Sequence, residues 1–248
     1  DLYLSEDKLK SDYASVRFER ELRILRRHCT RGKILDVGCS TGAFLYQVKE
    51  RWAEAYDVMG TDICAPALRY AKEQGIQVVE HSFLEHDFGK ERFDAITFWA
   101  VIEHLLEPKA FLAKAMELLK PNAHCFILVP NMNSLAIRIL GNRYRYIFPQ
   151  HVNYFSPITL SQFVSGERWS VVEEGSCHFN PIVIWQDRKN DGANFISDNE
   201  RVTLLKRTTS YKQNPLLTPV KVAYRVSEKL LGAARLADNI YIVLQKEA

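Results

Sequence analysis

Between Lys33 and Val129, short apolar runs alternate with longer mixed segments. The runs Lys33–Val37, Val58–Thr61, Ile76–Val79, Phe93–Trp99 and Ala123–Val129 have the length of strands buried on both faces. The segments between them read as helices: Ala43 to about Trp52, Pro66–Gln74, and a helix reaching Leu119 before a Lys120-Pro121-Asn122 turn. Pro66 lies in its helix's first turn and Gly75 follows its end, where each is favoured. Strands alternating with helices predict βαβ units and a parallel sheet with both faces covered. Upstream, Leu9, Tyr13, Val16, Phe18, Leu22 and Leu25 recur near a 3.6-residue period and predict a helix over 6–28, ended by Arg31-Gly32. After Pro130 the pattern changes. Ser134–Leu140 reads as a short helix, and Ser156-Pro157 opens another with Ser as N-cap. Trp169–Glu174 is strand-like, 186–199 a polar loop, and 200–236 mostly helical with breaks at Pro215 and Pro219. Ile240–Leu244 forms a late strand.

Composition narrows the function classes. With 248 residues and 47% hydrophobic content, the chain suits one elaborated α/β domain or two small ones. A net charge of +3 permits an anionic ligand and falls short of a nucleic-acid footprint. The five cysteines are odd in number and form no C-x-x-C pair, which argues against a disulfide framework or a zinc site. No apolar run reaches the ~18–20 residues of a membrane helix. Asp1–Asp7 is acidic and lacks the shape of a signal peptide. A reducing, cytoplasmic compartment is the expectation.

The strongest chemical signal is Ile34-Leu35-Asp36-Val37-Gly38-Cys39-Ser40-Thr41-Gly42. An apolar strand enters a turn of small residues and a helix starts at once, so backbone can approach a ligand and meet it with helix N-terminal N–H groups. A dinucleotide fingerprint would read G-x-G-x-x-G, but positions 40 and 43 are Ser and Ala. Asp62 ends the second strand at the distance from the loop where a carboxylate can accept both ribose hydroxyls of an adenosine. Its charge disfavours a 2′-phosphorylated cofactor. Its bland rival role is a helix N-cap ahead of Pro66.

The Asp-x-Gly-x-x-x-Gly form of Asp36, Gly38 and Gly42 resembles motif I of class I methyltransferases, with Ser40 where that family usually has Gly. The resemblance runs from Lys33 to Asn131, through Phe93–His104, the Leu118-Leu119-Lys120-Pro121-Asn122 turn and Val129-Pro130-Asn131. Within the family, Ile102-Glu103-His104, Asn131-x-Asn133-Ser134, Leu140-Gly141, His151, Phe155 and Pro157 are similar to the branch holding ubiquinone-biosynthesis O-methyltransferases and the type 11, 12 and 23 domains. The resemblance implies a Rossmann-like αβα sandwich with a seven-stranded, mostly parallel sheet whose last strand is antiparallel. It implies S-adenosyl-L-methionine as donor, leaving S-adenosyl-L-homocysteine. Cofactor contacts are expected at Arg17, Asp36, Gly38, Cys39, Ser40, Gly42, Asp62, Ile63, Ser82, Phe83, Trp99 and Ala100. Cys39 is expected to fill space behind the loop rather than act as a nucleophile. Residues 1–30 would cap a core of 31–177 and 238–248, with a lid over 131–160 and a helical insertion over 178–237 that covers the acceptor site or makes a dimer contact.

Methyl transfer to a hydroxyl needs a base, and histidine titrates nearest neutrality. His151, in the lid, is the first candidate as base or acceptor-orienting group, and His104 the second. No metal site is expected. The partner would be a small-molecule acceptor of sugar, quinone-precursor or natural-product type, with no nucleic acid and no membrane span. Arg138, Arg143 and Arg145, interleaved with Tyr144, Tyr146 and Phe148, offer a clamp for an anionic substrate or a peripheral membrane contact. A monomer or homodimer fits. A non-catalytic adenosylmethionine binder and a nicotinamide-dependent oxidoreductase stand as alternatives.

Overall fold

The computed structural model describes residues 18–147, 149–166, 168–189 and 218–247. Seven strands form one sheet: β1 (Gly32–Val37), β2 (Tyr56–Thr61), β3 (Gln77–Val79), β4 (Phe93–Trp99), β5 (Leu119–Pro130), β6 (Trp169–Cys177) and β7 (Asn239–Lys246). Their order is β3-β2-β1-β4-β5-β7-β6. β1 to β5 pair in parallel, and β7 runs antiparallel to β5 and β6. Eight α-helices are described: α1 (Glu19–His28), α2 (Ala43–Trp52), α3 (Ala65–Glu73), α4 (Pro108–Leu118), α5 (Leu135–Leu140), α6 (Pro157–Val164), α7 (Pro181–Lys189) and α8 (Thr218–Ala233). The seven-stranded sheet with one antiparallel strand bears out the expected fold.

Strand pleating explains the continuous apolar runs. Consecutive residues point to opposite faces, and each face carries its own core. Ile34, Ala95 and Phe126 face one core, which holds Leu22 and Leu25 of α1, Phe44 and Leu45 of α2, and Leu68 of α3. Leu35, Ile96 and Ile127 face the other, with Leu112 and Ala115 of α4 and Leu160 and Val164 of α6. Each fully buried Leu, Ile or Phe contributes roughly 1.5–3 kcal/mol. The order reverses between β1 and β4, so a crevice opens at their carboxyl ends, where ligands of such sheets bind.

Several expectations need correction. Lys120-Pro121-Asn122 is not a turn ahead of a strand. It lies inside β5, whose register on β4 shifts between Phe93 and Ala95. Five residues of β5 advance there against two of β4, and Asn122 among them is left-handed at φ +62°. Residues 186–189 are not loop: Asn180 accepts the backbone N–H of Val183 through its side chain, and α7 runs on to Lys189. Pro219 stands in the first turn of α8, where proline is tolerated, and the residues before Thr218 lie outside the described ones. Pro215, Leu9, Tyr13 and Val16 lie outside the described residues. The N-cap expected at Ser156 is in place, and Ser134 adds a second. Ser134 Oγ accepts the Ile137 N–H, and Ser156 forms a capping box with Thr159.

Candidate active site

The donor loop leaves β1 at Val37 and enters α2 at Ala43. Gly38, Ser40 and Gly42 have φ of +73°, +50° and +72°. At Gly38 a Cβ would come within 2.6 Å of Val101 Cγ2, so the position takes glycine for both conformation and space. Ser40 holds a left-handed conformation in the place where the family usually has Gly. No side chain caps the N-terminus of α2, which is left to backbone and ligand. Cys39 is 6% exposed and lies against Gly60, where a Cβ would come within 2.5 Å of Cys39 Sγ. Burial pushes its thiol pKa far up, in keeping with a space-filling role.

Asp62 follows β2 directly. Its Oδ2 accepts the Ser40 N–H at 2.8 Å and its Oδ1 the Cys64 N–H at 2.9 Å. Asp62 therefore shapes the loop as well as facing it, and the adjacent Ile63 is 84% exposed. Behind them, Asp36 is buried and accepts a 2.5 Å hydrogen bond from Thr97 Oγ1. Burial pushes its pKa up to about 7, against the Thr97 hydrogen bond and with help from Asp62. Trp99, at the end of β4, packs edge-on against Phe44 at 5.5 Å, and its buried Nε1 has no hydrogen-bond partner among the described residues. Ala100 is left-handed at φ +58°.

A loop turning back on itself beside an acidic strand end, an apolar residue exposed next to it and an orphaned buried N–H fit an adenosyl ligand. The other expected contacts divide. Phe83 is 3% exposed and locked among Phe88, Phe98 and Phe111, so its ring is core and leaves only backbone for a cofactor. Ser82 opens a turn whose carbonyl accepts from Glu85 and His86. Lys114 of α4 holds this turn, donating to the Leu84 and His86 carbonyls at 2.8 and 2.6 Å. Arg17 and Phe148 lie outside the described residues.

Across the crevice, a 3₁₀ turn, Ile102–His104, follows β4 and meets the segment ahead of α6. Val152 and Asn153 donate backbone N–H groups to the Glu103 carbonyl at 2.9 and 3.0 Å, and Asn153 Nδ2 bonds the Ile102 and Leu105 carbonyls. These bonds bring His104 and His151 together, with ring centroids 4.6 Å apart. Each is fixed through Nδ1, His104 on the Gln150 carbonyl at 2.9 Å and His151 on the Tyr146 carbonyl at 2.8 Å. A carbonyl only accepts, so each Nδ1 carries a proton. Glu103 completes the group. The residue is 1% exposed, and its Oε2 has no hydrogen-bond partner among the described residues. The donor atoms of the three residues lie within 4.8 Å of one another, close enough to hold a single cation.

Burial pushes His151 down to about 4 and Glu103 up to about 8, so both are uncharged at neutral pH. The Glu103 shift has a stability consequence. A folded pKa above the unfolded one stabilises below the unfolded value, near 4.3, and that contribution is lost as pH rises through about 8. Glu103→Gln never charges, so the fall in melting temperature between about pH 4.3 and about pH 8 is expected to be smaller in the variant. An equal fall in both proteins would contradict the assignment.

Glu103 and Asn153 are not among the site residues expected from the sequence, and Tyr146 is expected only as part of the clamp. The one available signal was a carboxylate next to a histidine just past a strand end. Of the basic stretch, Tyr144 is 1% exposed and belongs to the interior, and Arg145 pairs with Asp187 at 2.6 Å, so neither serves as a surface clamp.

A model described as a methyltransferase domain matches residues 13–173, well over half the chain. A ubiquinone biosynthesis O-methyltransferase of Rhodopseudomonas palustris (strain BisB18) is 28% identical over 181 residues, 69% of this chain and 70% of that protein. Among solved structures, a SAM-dependent methyltransferase from Archaeoglobus fulgidus superposes with TM-score 0.58 at 20% identity, covering 97% of both chains. The N-methyltransferase NodS from Bradyrhizobium japonicum WM9, in complex with S-adenosyl-L-homocysteine, gives TM-score 0.55 at 15% identity, covering 99% of this chain and 95% of that one. These two likenesses speak for the fold, and the family match carries the cofactor and the activity. No described helix is long and apolar enough to cross a membrane. The chain belongs to the S-adenosylmethionine-dependent methyltransferases, in the family whose domain model it matches over residues 13–173.

Proposed function

We propose that this methyltransferase acts on a hydroxyl oxygen of a small-molecule acceptor of sugar, quinone-precursor or natural-product type. The Glu103–His104–His151 group carries the reading. A hydroxyl must lose a proton as it is methylated, and a neutral imidazole fixed through Nδ1 presents Nε2 to take it. Val101, whose side chain limits the space at Gly38, stands two residues before Glu103, so donor loop and histidines are neighbours. The O-methyltransferase name of the 28%-identical relative supports oxygen.

Bound S-adenosylmethionine supplies an electrophilic methyl group on a sulfonium. The chain supplies the rest. Asp62 would take the ribose hydroxyls, Ile63 and the Ser82–Phe83 backbone the adenine, and Gly38–Gly42 with the α2 N-terminus the carboxylate. Trp99 and Ala100 would line the reacting end. His151 takes the acceptor's proton or orients its oxygen, and His104 is the second candidate. The enzyme reading places it in the cytoplasm as a monomer or homodimer, with free cysteines at all five described positions in accord.

With labelled S-adenosylmethionine, a dihydroxylated aromatic acid is expected to be methylated, while a primary amine and a thiol of similar shape are not. Methylation of the amine alone would overturn the reading. The rate is expected to withstand a chelator, and loss with rescue by a divalent cation would reassign the three residues to a metal.

A further inference from the structure

We infer that Asp187, on α7, is a positioning residue for the acceptor site, acting on His151 through Arg145 and the Tyr146 carbonyl. The inference rests on the reading that His151 handles the acceptor.

The contacts form an unbroken series. Asp187 is 5% exposed. Its Oδ2 accepts the Arg145 backbone N–H at 3.1 Å, and its two oxygens accept Arg145 Nε at 3.2 and 3.1 Å and Nη2 at 2.6 Å. One carboxylate thus holds both the main chain and the guanidinium of the same residue. That fixes the peptide on either side of Arg145 more tightly than a side-chain pair alone. The Tyr146 carbonyl, two peptide units further along, accepts His151 Nδ1 at 2.8 Å and sets the ring's tautomer and direction. The segment between is stiff as well: Ile147 N–H bonds the Tyr144 carbonyl at 2.8 Å, and the Tyr144 and Tyr146 rings meet at 5.0 Å. The His151 ring also meets His104 at 4.6 Å, Tyr154 at 6.3 Å and Tyr146 at 6.5 Å.

A buried ion pair adds little stability, because desolvation offsets its attraction. Its main effect here is to select one arrangement of the chain that carries His151. Desolvated and bidentate, the pair joins two segments 42 residues apart in sequence, one ahead of His151 and one on α7. In this way α7, remote from the donor loop in sequence, sets the direction of the imidazole that meets the acceptor.

The test is Asp187→Asn, which keeps the shape and removes the charge, with Arg145→Lys as a second variant that keeps the charge and loses the fork. Both are expected to lower kcat by about 10- to 100-fold, the scale of a misplaced catalytic group. Binding of S-adenosylhomocysteine should be unchanged. The hydrogen-bonded Nδ1–H proton of His151, observed by nuclear magnetic resonance, should be lost or shifted, and Asp187→Glu should recover part of the rate. A merely structural pair would lower the melting temperature and leave the His151 proton signal where it is. Unchanged kcat and an unchanged proton signal in either folded variant would overturn the inference. Full turnover by His151→Ala would instead overturn the underlying reading, so the two failures are told apart.

Discussion

Asp62→Ala is expected to weaken S-adenosylhomocysteine binding by about 10- to 100-fold, the loss expected when hydrogen bonds to a charged group, each worth roughly 1.5–3 kcal/mol, are removed with partial compensation by water. Two effects combine. The ribose hydroxyls lose their acceptor, and the donor loop loses the carboxylate that holds Ser40 N–H at 2.8 Å and Cys64 N–H at 2.9 Å. The loop's left-handed residues, Gly38, Ser40 and Gly42, then hold their conformation without that support. Asp62→Asn keeps one acceptor oxygen and should lose less. Calorimetric titration of both variants separates the charge from the shape.

His151→Ala is expected to lower kcat by about 10²- to 10⁴-fold, the contribution typical of a positioned general base, with S-adenosylhomocysteine affinity unchanged. The pH profile adds a second check. Burial, the largest cause, pushes His151 down to about 4, with neighbouring His104 acting the same way and the Tyr146 carbonyl opposing them. The imidazole is then neutral and able to accept a proton throughout the physiological range. The acid limb of the wild-type kcat profile is expected near pH 4 to 5 rather than near 6.5, the ordinary value for histidine. The same shift makes the fold less stable in acid. A depressed folded pKa gives stability that is present above the unfolded value and lost as pH falls through the folded one.

Much of the donor half was legible in the sequence. An apolar strand, a small-residue turn and an acidic strand end each follow from local rules, and Gly38 is fixed by its own φ and by Val101. The acceptor half was less legible, because its geometry is made by contacts distant in sequence. Glu103 and His151 are brought together by Val152 and Asn153 N–H groups bonding one carbonyl. Arg145 reads as a surface cation until Asp187, on a helix that composition alone suggested was loop, is seen beneath it. Phe83 shows the converse. Its position fitted an adenine contact, but the three phenylalanines around it claim the ring for the core. The bulge in β5 had no local signal beyond Asn122, whose tolerance of positive φ suits a turn and a bulge equally.

The central claim is that donor binding and acceptor chemistry are handled by separate groups, Asp62 on one side of the crevice and His151 on the other. Calorimetric titration of S-adenosylhomocysteine, with NAD as control, on wild type, Asp62→Ala and His151→Ala tests it most directly. The account predicts adenosyl-ligand binding by wild type and His151→Ala alike, weakened binding by Asp62→Ala, and no binding of NAD. Undiminished binding by Asp62→Ala, or equal weakening by both substitutions, would contradict it.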